Sequence, residues 1–84
     1  MEAAEDVIRE IVRLLDEAER LSRMCRTMGA LRRIEEAQEL ADTLEELLGD
    51  EHAVMLVLRN IDRAERKVYE NLSRCRLKRG RWWW

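Results

Sequence analysis

No proline interrupts this chain of 84 residues, and only three glycines do, Gly29, Gly49 and Gly80. With so little turn chemistry, everything between the glycines reads as long helix. Phenylalanine is absent and aromatics make up 5% of the chain, against 46% hydrophobic and 40% charged residues. That mixture suits long amphipathic helices or coiled coils, and its plentiful, regularly placed apolar residues argue against disorder. Two cysteines are too few for a disulfide framework. One histidine, His52, has no second histidine with which to build a metal site or a catalytic constellation. The longest apolar run, Ala53 to Leu58, is far short of the ~20 residues needed to span a bilayer. The formal net charge of -2 excludes a global basic field for nucleic acid. The acidic start, Glu2 to Asp6, has no signal-peptide pattern. The expectation is one small soluble domain in the cytoplasm, of marginal stability unless it packs efficiently or self-associates.

The first segment has Val7, Ile11, Leu14, Ala18, Leu21, Cys25 and Met28 at steps of four and three. Ile8, Val12 and Leu15 form a second row, so the buried face is wider than a two-stranded seam. Glu5–Arg9, Asp16–Arg20 and Glu19–Arg23 stand four apart in the favourable order. The second segment has Leu31, Ile34, Ala37, Ala41, Leu44 and Leu48, with Leu40 and Leu47 beside them. Its charges oppose the helix dipole, with Arg32 and Arg33 at the start and Glu45 and Glu46 at the end. The third has Val54, Val57, Leu58, Ile61, Ala64, Val68, Leu72 and Cys75.

Gly49 closes the second helix, and Asp50 caps the third. Gly29 admits two readings: a left-handed turn residue, or a mid-helix glycine in one rod spanning 2–48. The expected fold is therefore all-α, an antiparallel three-helix bundle with helices at about 2–28, 30–48 and 50–79. The alternative is a long helical hairpin, continuous over 2–48, that dimerises into a larger bundle. Residues 1–79 form the domain and 80–84 a tail. Cys25 and Cys75 both lie on apolar stripes and read as two buried thiols, packing as small hydrophobes. With a second helix of 19 residues, Cys25 would lie level with about Arg66 rather than Cys75, and whether the two are bridged stays open.

Charge is unevenly placed. Residues 50–81 hold nine bases and five acids, and residues 30–48 six acids and two bases. Arg74, Arg76, Lys78, Arg79 and Arg81 are followed by Trp82, Trp83 and Trp84. Cations followed by indoles suit an anionic membrane surface or stacked single-stranded bases. Val54, Met55, Leu56 and Leu58, within an apolar stretch that encircles the helix, are the expected protein-contact patch.

Two resemblances follow from these residues. Glu35, Glu36, Glu39 and Asp42 resemble the EExxE stretch of MazG-type nucleotide pyrophosphohydrolases, which hold magnesium with carboxylates. The second acidic motif of that family is matched only by Arg59-Asn60-Ile61-Asp62, with arginine in place of its first carboxylate. That resemblance implies a defective hydrolase using Glu35, Glu36, Glu39 and Asp62. The Glu/Arg-alternating helices with minimal loops resemble de novo designed helical bundles. The cysteines, methionines and Trp tail fit a small Arg-biased phage or bacterial protein as well. The leading expectation is a non-catalytic structural or interaction module that binds a protein partner or itself, without cofactor, metal or small-molecule substrate. The alternative is a membrane-surface or single-strand binder acting through Arg79, Arg81, Trp82, Trp83 and Trp84.

Overall fold

A computed structural model describes the backbone of residues 2–82 and the side chains of residues 3–75. Three helices, α1 (Glu2–Arg23), α2 (Thr27–Leu48) and α3 (Glu51–Trp82), all pack on one another. The protein is an all-α three-helix bundle. Consecutive helices are joined by short turns, so α2 runs antiparallel to both neighbours. Among the described residues no helix is long and apolar enough to cross a membrane.

The first reversal is not at Gly29. It falls at Met24–Arg26, with Cys25 in the left-handed region at φ 62°. The Arg26 N–H donates to the Leu21 carbonyl (2.9 Å) and the Cys25 N–H to the Ser22 carbonyl (3.1 Å). This is the Schellman pattern, with cysteine where glycine is usual. Both expectations for this region are thereby corrected: α1 stops at Arg23 instead of running to residue 28, and no rod spans 2–48. Gly29 lies inside α2. A Cβ there would stand 3.4 Å from Leu21 Cδ1, at the close approach of α1 and α2. The start of α2 carries no side-chain cap, consistent with its unfavourable charge order.

The second reversal follows the sequence. Gly49 has φ 62° and donates its N–H to the Glu45 carbonyl (3.1 Å). Asp50 Oδ1 then accepts from the N–H groups of His52 (3.0 Å) and Ala53 (3.4 Å), closing the start of α3. At the far end α3 passes through Gly80 to Trp82. A lone glycine weakens a helix by ~1 kcal/mol but does not end it.

The core is narrow and rich in alanine. Ala4, Ala18, Ala30, Ala37, Ala41 and Ala64 are buried, alongside Ile11, Leu14, Ile34, Leu44, Ile61, Val68 and others. Small residues at contact points let helix axes approach toward the lower end of the ~8–10 Å range. The shape is a rod of 54 × 18 × 14 Å with a radius of gyration of 14.9 Å, against about 12 Å for a compact domain of this length.

Cys25 and Cys75 form a disulfide, with Cα atoms 5.7 Å apart. The expectation of two free thiols is corrected, and the reason is geometric. Because α2 starts at Thr27, it is 22 residues long, matching the 22 of α1. The start of α3 therefore returns to the level of the start of α1, and the two parallel helices stay in step. Beside the bridge, fully buried Ser22 donates its Oγ–H to the Glu19 carbonyl (2.6 Å) and accepts from Asn71 Nδ2 (2.9 Å).

Candidate functional site

The expected contact patch does not form one face. Val54 is 5% exposed and points inward, whereas Met55, Leu56 and Leu58 are exposed. Successive helical residues turn by 100°, so Leu56 faces well away from both Met55 and Leu58. Leu58 shares a row with Glu65, one full heptad on, which accepts from Gln38 Nε2 of α2 (3.2 Å). Leu56 shares a row with Asn60, Arg63 and Lys67, and these three line a groove of about 530 Å³ between α3 and α1.

Val12 and Leu15 of α1 and Ala64 of α3 supply the apolar surface of this groove. Ile8, one turn below Val12, and Leu56, one turn below Asn60, extend it toward the α1 start. Ile8 is 37%, Val12 52% and Leu56 48% exposed. The lips differ in charge: Asp16 and Glu19 on α1, and on α3 the cations Arg63, Arg66 and Lys67 followed by the acid Glu70. Ile8, Val12 and Leu15 are the second apolar row of the α1 pattern. The breadth of that stripe was the available sequence signal, and only packing shows that the row overlooks a groove.

The charges on the other side of α1 are arranged differently. Arg33 of α2 bonds Glu17 of α1 (2.9 Å) and Glu36 (3.1 Å). Arg13 bonds Glu17 (3.0 Å) and Glu10. Hydrogen bonding by Arg33 pulls the Glu17 pKa below the ordinary carboxylate value, and Arg13 does the same for Glu10. Arg33 and Arg13 are raised by the same contacts. Among the described residues every ion pair lies on α1 and α2, and none spans the α1/α3 groove.

The other sequence candidates are dispersed. His52 is exposed, and its backbone N–H serves the Asp50 cap. Glu35, Glu39 and Asp62 are exposed, and Glu36 is engaged by Arg33. Among the described residues no group of three His, Cys, Asp or Glu side chains is placed to hold a metal ion. Arg79, Arg81 and Trp82 lie on the helical backbone of α3, their side chains outside the described residues; Trp83 and Trp84 lie outside altogether. A second cavity, of about 270 Å³, adjoins the disulfide and is lined in part by Leu31, Tyr69 and Leu72.

Comparison with known proteins gives no family model, no curated relative and no solved structure that matches this chain.

Proposed function

We propose that the chain is a non-catalytic interaction module whose α1/α3 face receives an amphipathic helix. One observation carries this reading: Val12 is left uncovered in a groove whose lips bear acids on α1 and mostly cations on α3 with no ion pair across it, and Ile8 and Leu56 are left uncovered a turn below. An amphipathic helix laid there would cover the apolar strip and present charges to both lips. The carboxylates of α2 lend no comparable support to a hydrolase, because a metal-bound phosphate needs converging ligands. The Cys25–Cys75 bridge favours a working environment that keeps thiols oxidised, over the cytoplasm.

The test is position-specific cross-linking in cells producing the chain. A benzophenone amino acid in place of Val12 is compared with one in place of Asp42, which is exposed on α2. Adducts should form from position 12 and not from position 42. Equal yields, or none from position 12, would end the proposal.

A second reading rests on the course of α3, which continues as helix beyond the bridge at Cys75 to Trp82. Arg79, Arg81, Trp82, Trp83 and Trp84 would meet an anionic lipid surface or a single strand there. Binding to phosphatidylserine vesicles or an oligonucleotide should disappear on truncation after Gly80. Equal binding by the truncated chain would exclude this reading.

A further inference from the structure

The Cys25–Cys75 bridge is not sealed inside the bundle. Both cysteines are half-buried, and two cavities reach them, each lined by both residues. The larger, of about 270 Å³, is completed by Thr27, Leu31, Tyr69, Leu72 and Ser73 and carries no charged side chain. The smaller, of about 160 Å³, is completed by Arg23, Asn71 and Arg74. It presents two guanidinium groups and no carboxylate to the bridge. A small molecule can therefore reach the sulfurs in the folded protein, and one of its two routes is cationic.

The order of residues produces this local field. Residues 20–34 hold five arginines and no acid, and residues 71–84 hold four arginines, one lysine and no acid. The bundle brings these two acid-free stretches together at Cys25 and Cys75. Arg23 and Arg74 stand four residues after Glu19 and Glu70, yet among the described residues neither arginine forms an ion pair. Those two acids line the α1/α3 groove instead. Arg33, by contrast, is bound to Glu17 and Glu36. The chain as a whole carries a net charge of -2, so an attraction for anions can arise only from a local cluster such as this one.

We infer that the bridge is a thiol-exchange site selective for small thiols that carry a second, anionic group such as a carboxylate or sulfonate. Arg23 and Arg74 hold that group at the mouth of the smaller cavity, with the thiol directed at the bridge. Nearby cations also favour the thiolate form, both of the attacking thiol and of the departing cysteine. The incoming thiolate bonds to one bridge sulfur as the S–S bond breaks. The other sulfur leaves with the electron pair and takes a proton from water. A second thiolate of the same kind attacks the mixed disulfide and releases the remaining cysteine, which is protonated in turn. Two small thiols are thereby oxidised to one disulfide, and the bridge is reduced to two cysteine thiols.

The test is the rate at which the folded, oxidised chain is opened by 2-mercaptoethanesulfonate, which is anionic, and by neutral 2-mercaptoethanol. Timed alkylation and mass measurement count the thiols released, and rates are taken per unit of thiolate so that the reagents' acidities drop out. The anionic reagent should be faster by about tenfold at low ionic strength. Arg23→Gln with Arg74→Gln should bring the ratio of the two rates to about one. Arg9→Gln, an equal charge change near the far end of α1 on an exposed residue, should leave the ratio as it was. Circular dichroism checks that each variant is folded. On the unaltered chain, raising sodium chloride from about 0.02 M to about 0.5 M should collapse the ratio. A ratio near one in the original chain, a ratio that the double substitution or salt leaves intact, or a bridge that neither thiol opens without denaturant would overturn the inference.

Discussion

Cys25 and Gly49 share a φ of 62°, whereas Gly29 lies within regular helix. The same substitution should therefore act with opposite sign at the two glycines. Gly29→Ala should stabilise by about 0.5–1 kcal/mol, from helix propensity and a less flexible unfolded chain. The added methyl would meet Leu21 Cδ1 at 3.4 Å, an ordinary contact. Gly49→Ala should destabilise by about 1 kcal/mol, because an L side chain is disfavoured in the left-handed region, although nothing within 4 Å would obstruct it. Urea unfolding of both variants measures this. Shifts of the same sign would contradict the placement of the first turn at Cys25.

At the scale of elements, α2 is held by what it touches more than by its own signals. Its N-terminal cap and charge order are poor, and its alanine face against α1 compensates. The ion pairs of α1 differ from those expected at i,i+4. Among the described residues they join Arg13 to Glu10 and Glu17, and Glu17 is shared with Arg33 of α2. Glu17 and Glu10 have folded pKa values below their ordinary ones, so the folded form favours the ionised carboxylates. Their contribution is complete above the ordinary carboxylate range and is lost as pH falls through the folded values. Stability should accordingly be higher at neutral pH than in acid. Glu17→Gln should lower the melting temperature at neutral pH and leave it nearly unchanged in strong acid. A variant whose loss is the same at both pH values would show that the carboxylate charge is not the cause.

For the whole molecule, a narrow alanine-rich core leaves the bridge as a major constraint. It closes a loop between residues 50 apart in sequence, for which restricted unfolded-state entropy gives about 4 kcal/mol. Reduction, or Cys25→Ser with Cys75→Ser, should lower unfolding free energy by up to that amount. The Ser22–Asn71 hydrogen bond is then left as the polar tie between α1 and α3 at that end. Chemical denaturation with and without reductant measures the difference, and coincident curves would mean that the bridge constrains nothing packing does not already hold.

Helix content, the inward faces and the Gly49–Asp50 reversal follow from the order of residues, because apolar periodicity and local caps act within a few residues of one another. The second apolar row of Ile8, Val12 and Leu15 was equally legible. Its use was not, since a wide stripe reads the same whether a neighbour covers it or a groove lies beside it. The first turn is not legible in the sequence, because a left-handed cysteine is locally disfavoured and the covalent and packing ties that hold it come from residues 50 positions away. Tertiary structure alone decided the level of α3 against α1. That level joined Cys25 to Cys75 and set acidic residues of one lip opposite basic residues of the other, because heights along separate rods depend on where the turns fall and not on the composition of any one helix.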